Sequence, residues 1–295
     1  MKVLFILNGS KRQSTSFKNR ISKKLPSNID FNFSCTNYRG HATEITKDNA
    51  DKFNVIVPIG GDGTISECVN GMMQFSSQNP DKTLPILLPV AVGSGNDFVR
   101  NFAWKHNVDS VLDRIQNLKT NSVDIAHIRF QNGDTTFFNN AASAGFGPAV
   151  VKITETLPSV WPGNLKFGLA ILAAFFTYRK KNIQVIGDDF SWTGKAMIAV
   201  VAKGKFFGSG IGIAPDAELD DGFLHVTIIG DVSLLDYLKQ LKKLKQCKKI
   251  NHKEVFYFKS KQVNFTSNSL LETDGELKLQ AHCAFTLKSR AIKFA

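Results

Sequence analysis

The residues with chemistry to offer fall into two glycine-rich elbows and a few acidic turns. The first elbow is Gly60-Gly61-Asp62-Gly63-Thr64, set between the apolar run Val55-Ile56-Val57-Pro58-Ile59 and the segment Ile65-Ser66-Glu67-Cys68-Val69-Asn70. The order reads as strand, turn, helix. Thr64 and Glu67 have capping-box spacing, which starts the helix there. Glycines permit positive φ and close approach of a ligand, and a helix N-terminus offers free N–H groups with partial positive charge. Together these make a phosphate cradle, although taken alone the cluster is as readily a tight turn. No Gly-Lys-Ser/Thr follows, so it is not a Walker A loop, and the full dinucleotide spacing is missing. A second elbow repeats the plan, with Ile86-Leu87-Leu88-Pro89-Val90-Ala91-Val92 running into Gly93-Ser94-Gly95-Asn96-Asp97-Phe98. Two such turns can converge on one ligand at the strand ends.

The acidic turns are Ser122-Val123-Asp124-Ile125, Pro215-Asp216-Ala217-Glu218-Leu219-Asp220-Asp221-Gly222-Phe223 and Glu272-Thr273-Asp274-Gly275-Glu276. Asp274 and Glu276 would share a face in an extended chain, whereas Gly275 makes a turn equally available. Taken alone, the second is a charged surface turn and the third a solvated hairpin.

Gly60 to Thr64 together with Gly93-Ser94-Gly95-Asn96-Asp97-Phe98-Val99-Arg100 resemble the diacylglycerol kinase catalytic-domain family of lipid kinases, which includes bacterial diacylglycerol kinases and sphingosine kinases. Ser94 stands where that family usually has Thr, which keeps the hydroxyl. The resemblance implies an N-terminal parallel α/β domain like that of NAD kinases, a C-terminal antiparallel β-sandwich, and an active site in the cleft between them. It implies that Asn8, Thr36 (ahead of Gly40-His41-Ala42), Gly60, Gly61, Asp62, Gly63, Thr64, Ser66, Ser94 and Asn96 bind the nucleotide. Asp62, Asp97 and Asp124 would surround a catalytic Mg²⁺. A structural Mg²⁺ would take the Asp221 side chain and the carbonyl oxygens of Glu218 and Phe223, since Mg²⁺ prefers oxygen ligands and keeps several waters. A carboxylate of the Asp274-Gly275-Glu276 segment would accept the proton of the acceptor hydroxyl, and either acid can serve.

The elements that must position these groups follow from the patterning. Lys2 to Leu7 is a buried-strand run, Ile29 to Cys35 alternates as a strand, and Thr43 to Asp51 is a short helix before the Val55 strand. Ile86 to Val92 is one strand, and Asp109 caps a helix through Leu118. Strands alternating with helices predict a parallel sheet whose ligands lie beyond the carboxyl ends of its strands. The first domain is placed at residues 1–121 and the second at 122–295, with a last strand, about 285–295, free to return to the first. Asn132-Gly133 between Val123–Phe130 and Thr135–Asn140 predicts a hairpin with a two-residue turn. Ile183–Ile186, Lys195–Ala202, Phe223–Ile229, Val255–Lys259, Val263–Thr266 and Ala284–Lys288 read as further short strands. Leu165 to Tyr178 reads as a packed core helix. Ser233 to Ile250 reads as a basic amphipathic helix, suited to anionic lipid or to a solvated face above buried leucines.

A formal charge of +12 over 295 residues favours a polyanionic partner. No nucleic-acid module accompanies it, so the partner expected is an anionic membrane surface carrying the lipid substrate, and not nucleic acid. Lys11, Arg12 and Lys166, with the helix from Lys239 to Lys249, are the docking candidates. Four scattered cysteines and no signal-peptide pattern predict a cytoplasmic protein peripheral to the membrane. The longest apolar stretch, Phe167 to Phe176, is about half of the ~20 residues needed to cross a bilayer. An exposed sheet edge would permit a homodimer. The reading is an ATP- and Mg²⁺-dependent lipid kinase that converts diacylglycerol to phosphatidic acid. The alternatives are an NAD kinase or a nucleotide- or lipid-binding regulator without turnover.

Overall fold

The computed structural model describes residues 1–10, 12–158 and 161–295. They form two units, Met1–Val123 with Arg290–Ala295, and Asp124–Ser289.

The first unit runs β1 (Lys2–Leu7), α1 (Arg12–Ile21), β2 (Asp30–Cys35), α2 (His41–Asn49), β3 (Val55–Gly60), α3 (Asp62–Gln78), β4 (Ile86–Leu87), β5 (Val90–Ala91), a 3₁₀ turn over Phe98–Asn101 and α4 (Val108–Asn117). Its sheet is parallel: β1 lies between β2 and β3, and both β4 and β5 pair with β3. Buried on both faces, β1 and β3 are continuous apolar runs, as a covered parallel sheet requires. Val3, Phe5, Val57 and Ile59 form a core with Phe17 and Ile21 of α1 and Val111 and Ile115 of α4.

Local details depart from the sequence reading. The polar segment after β1 contains a helix, α1, whose buried positions are Ser14, Phe17 and Ile21, with the Ser14 hydroxyl donating to the Ile59 carbonyl at 3.0 Å. Too few of its residues are apolar for periodicity to reveal it. The expected Ile86 to Val92 strand divides into β4 and β5 around Leu88 and Pro89, Pro89 having no N–H for the ladder. Thr64 and Glu67 form no capping box. Helix α3 starts at Asp62 behind Gly61, and Thr64 Oγ1 instead accepts from the Asn8 amide at 3.0 Å. Glu67 Oε1 and Oε2 accept the N–H groups of Gly40 at 2.9 Å and Ala42 at 3.1 Å, so Glu67 caps α2, whose own N-cap, Gly40, has no side chain to do so. Asn107 rather than Asp109 caps α4, through the Ser110 N–H at 2.9 Å.

The second unit takes in most of β6 (Asn121–Phe130), then β7 (Thr135–Phe138), β8 (Ala141–Gly145), α5 (Phe146–Thr156), α6 (Gly163–Thr177), β9 (Lys181–Gly187), β10 (Ser191–Ala196), β11 (Ile198–Ala202), β12 (Phe206–Phe207), β13 (Ile211–Gly212), β14 (Leu224–Ile229), α7 (Leu234–Lys245), β15 (Val255–Ser260), β16 (Val263–Thr273) and the greater part of β17 (Glu276–Phe294). Neighbours in the order β15-β14-β11-β8-β16 are antiparallel, and β16 also pairs with β9 and β17. Strand β11 is buried throughout and alternates between two cores. Ala199 and Val201 join Phe138, Val226, Phe265 and Phe285, whereas Ile198, Val200 and Ala202 meet Phe146, Val150, Ala170 and Ala174 of α5 and α6.

The predicted Lys195 to Ala202 strand is broken at Met197 into β10 and β11, which have different partners. The β6–β7 hairpin forms, but Phe130 and Asp134 bond to each other across Gln131-Asn132-Gly133, a turn longer than expected, with Gly133 at φ 90°. Arg290–Ala295, the end of β17, belongs to the first unit, where Phe294 pairs in parallel with Leu87 of β4 and the Arg114 guanidinium bonds the Ala295 carbonyl. Among the described residues no helix is long and apolar enough to cross a membrane.

Glu67→Ala removes two charge-assisted bonds that hold the start of α2, so the variant should lose about 2 kcal/mol of stability in urea unfolding, while Glu67→Gln should lose about half as much.

Candidate functional site

In the first unit the strand ends carry the predicted nucleotide residues. The Asn8 N–H donates to the Ile59 carbonyl at 3.0 Å, its side-chain amide to Thr64, and the Gly9 N–H to Thr36 Oγ1 at 3.1 Å. Asn8, Thr36 and Thr64 therefore share one polar rim beyond β1, β2 and β3. The two elbows meet there. A Cβ added at Gly93 would lie 2.6 Å from the Gly61 Cα and 2.9 Å from Asn96 Oδ1, so the turns touch through bare backbone. Asn96, at φ 55°, braces the second elbow by accepting the Gly93 N–H at 3.0 Å and donating to the Gly93 carbonyl at 2.8 Å.

Asp62 joins the elbows, its Oδ1 accepting the Phe98 N–H at 3.1 Å. Burial raises its carboxyl above the usual range, against the opposing pull of the N–H groups of Phe98, Asp97 and Asn96. Asp97 is buried, 3.6 Å from Arg100. Ser66 is buried farther along α3, and Ser94 is exposed within the second elbow.

In the second unit the acids are engaged with the protein itself. Asp124 and Lys203 are fully buried. The Lys203 ammonium donates to Asp124 Oδ2 at 3.1 Å, Asp221 Oδ1 at 2.7 Å and the Phe223 carbonyl at 3.0 Å, one acceptor for each of its three donors. Asp124 Oδ2 also accepts the Gly222 N–H at 2.8 Å, and the Asp124 N–H donates to the Leu219 carbonyl at 2.7 Å. Asp221 Oδ2 lies 2.8 Å from His225 Nε2. Burial alone would raise the Asp221 carboxyl, but the hydrogen bonds from His225 and Lys203, the Lys203 charge and the Phe223 N–H hold it far below the usual carboxylate range.

Asp274 and Gly275, at φ 47° and 86°, are the central residues of the turn joining β16 to β17, where Thr273 pairs with Glu276. The turn, not the extended arrangement, is what forms. The Asp274 carboxylate accepts the N–H groups of Asn139 and Asn140, each at 3.2 Å, and of Ala141 at 3.0 Å. Glu276 pairs with Lys278 at 2.9 Å. Glu272 is buried and braces this turn, accepting from the Ser143 hydroxyl and the Gly275 N–H.

The predicted metal ligands differ in fit. Among the described residues no group of three or more His, Cys, Asp and Glu side chains is gathered as a metal site. Asp62 and Asp97 are oxygen donors suited to Mg²⁺. Asp221 and the Phe223 carbonyl do not fit it, because the Lys203 ammonium already uses both. Lys203 is absent from the sequence expectations, whereas Glu67 is expected there to cap its own helix and Glu272 is named without a role. The signal for Lys203 was a single cation closing the apolar strand Ile198–Ala202.

Of the docking candidates, Lys11 lies outside the described residues, Arg12 opens α1, and Lys166 is half-buried on α6. Helix α6 is not wholly packed, because Leu165, Leu169, Leu172 and Phe176 form an exposed stripe, with Phe176 80% exposed. On α7 only Leu244 is buried, while Leu235 and Leu238 are exposed and Tyr237 meets Phe175 of α6 at 5.4 Å between ring centroids.

The family model described as the diacylglycerol kinase catalytic domain matches residues 2–128, and that of the YegS C-terminal NAD kinase beta sandwich-like domain matches residues 140–294. A Shewanella frigidimarina protein named "Probable lipid kinase YegS-like" is 27% identical over 85% of this chain and 79% of its own. The "Diacylglycerol kinase" of Bacillus subtilis is 26% identical over 82% of this chain and 77% of its own. The crystal structure of a Bacillus anthracis diacylglycerol kinase superposes with a TM-score of 0.71 at 21% identity, covering 99% of this chain and 96% of that one, a likeness of fold.

Gly93→Ala should push the elbows apart and weaken ATP binding at least ~10-fold in calorimetric titration, with the far-ultraviolet circular dichroism unchanged.

Proposed function

The chain belongs to the family of YegS and the diacylglycerol kinases, and from that membership we propose that it is a lipid kinase, passing the γ-phosphoryl group of ATP to a lipid hydroxyl, with diacylglycerol as acceptor and phosphatidic acid as product. The observation that carries this reading is the meeting of Gly61 and Gly93. It brings bare backbone from both elbows together beside the start of α3 with no side chain between them, which lets a polyphosphate approach the backbone closely.

Phosphoryl transfer is chiefly a matter of positioning and charge. In this proposal Asn8, Thr36, Thr64 and Asn96 orient the nucleotide from the rim, with Ser66 and Ser94 as further hydroxyls. Mg²⁺, bound with ATP, would offset phosphate charge, and Asp62 and Asp97 are the donors to hold it. Asp124 enters as a carboxylate whose orientation Lys203 and Gly222 fix. For the base, Asp274 is the better positioned of the two acids, since three backbone N–H groups immobilise it whereas Glu276 is paired to a lysine.

The acceptor is assigned as diacylglycerol because the Bacillus subtilis relative bears that name. Access to a lipid is supported by the apolar stripe of α6 beside the exposed leucines of α7, with Lys239, Lys242, Lys243 and Lys245 on the latter helix. Apolar side chains rimmed by lysines suit the surface of an anionic bilayer.

Wild-type protein given labelled ATP, Mg²⁺ and a total lipid extract should label a single lipid class that mass spectrometry identifies as phosphatidic acid. Asp274→Asn should lower that rate by about 10²-fold or more, and Glu276→Gln by much less. Label on NAD and none on lipid would refute the reading. Phe176→Asp should reduce co-sedimentation with phosphatidylglycerol vesicles while leaving ATP affinity unaltered.

A further inference from the structure

We infer that the ammonium of Lys203, and not a divalent metal ion, is the cation that organises the Pro215 to Phe223 turn of this chain. The turn is the segment in which the family resemblance implies a structural Mg²⁺, held by the Asp221 side chain and by the carbonyls of Glu218 and Phe223. Two of those three oxygens converge instead on Lys203 Nζ, at 2.7 and 3.0 Å. These are N–H···O lengths, so both oxygens already serve as acceptors for the ammonium.

The ammonium uses all three of its donors here, and its single charge stands where Mg²⁺ would bring two. Lys203 follows a strand with no exposed residue, is itself fully buried, and is held in place at the backbone by its N–H, which donates to the Asn140 carbonyl at 2.8 Å. A buried ammonium has to find acceptors, and this one takes three: Asp124, Asp221 and Phe223. The pairing places one positive charge between two carboxylates, with His225 on the far oxygen of Asp221. A divalent ion bound to Asp221 and the Phe223 carbonyl would sit against the ammonium and be repelled by it. Two more cations press from outside, Lys259 at 4.7 Å and Lys261 at 6.0 Å from the centroid of the Phe223 ring, and Lys249 is paired to Asp216 of the same turn.

The arrangement also gives Lys203 a second task. Asp124 touches the turn three ways, through its N–H to Leu219, through Gly222 to its carboxylate and through the shared ammonium. An internal cation thus joins strand β6 to the turn permanently, whatever the divalent ion concentration. In this respect Lys203 is a positioning residue for Asp124.

The test compares melting of the full-length protein, stripped with EDTA and free of nucleotide, in the presence and absence of MgCl₂. Any Mg²⁺-dependent rise should be equal in wild type and in Asp221→Asn, because none of it passes through Asp221. Lys203→Met should melt well below wild type or fail to fold, and adding Asp221→Asn to it should recover part of the loss by removing the stranded charge. A Mg²⁺-dependent rise present in wild type and abolished by Asp221→Asn would overturn the inference, and so would a Lys203→Met variant that melts with the wild type. The Asp221→Asn comparison decides the matter even if no Lys203 variant can be purified. A melting temperature is read throughout, so failure here would leave the kinase assignment standing.

Discussion

The nearness of Gly61 to Gly93 constrains the whole first unit. The elbows leave from β3 and β5, paired in parallel with Ile59 against Val90 and Gly60 against Ala91. Neighbouring strands are ~4.8 Å apart, which admits two backbones side by side but no side chain between them. Once that spacing is fixed, the rest of the rim follows. Asp62 can reach across to the Phe98 N–H, Asn96 can fold its amide onto Gly93, and the Asn8 side chain can reach Thr64. A methyl group at Gly93 would strike Gly61 and the Asn96 side chain together.

The second unit solves a different problem. Its strands bury two apolar faces, and β11 belongs to both, so the chain leaving β11 is still buried. The first residue beyond it is Lys203. Its charge is tolerated because Asp124 and Asp221 come from two other segments to meet it, and removal of any one member would leave the others stranded. A buried salt bridge of this kind contributes less to net stability than to fixing which segments lie together. The Asp274 carboxylate is likewise met from another segment, by the backbone N–H groups of Asn139, Asn140 and Ala141.

The fold class and the two glycine elbows were legible in the sequence because each rests on local signals: apolar runs of strand length, glycine where backbones approach, and alternation once the second unit begins. What was illegible depends on partners distant in the chain. Glu67 has the right spacing to cap its own helix, and only the packing of α2 on α3 shows that it caps the neighbour. Asp221 looks like a metal ligand as long as Lys203, far earlier in the sequence, is not known to point at it. In the same way the apolar character of Leu165 to Tyr178 could not say which side of α6 would face the core, because every side is apolar, and the exposed stripe appears only when Ala170 and Ala174 are seen turned inward. Helix α1 escaped notice for the opposite reason, having almost no apolar pattern to read.

Strand β17 runs from Glu276 to Phe294, and its last residues complete the parallel sheet that Lys2–Leu7 begins. During synthesis on the ribosome, the first unit, though begun first, must therefore wait with β4 paired on its β3 side alone until residues 290–295 emerge. The order of translation and the order of structural completion are in this chain reversed, and a nascent protein halted after its second unit would have an unfinished first one.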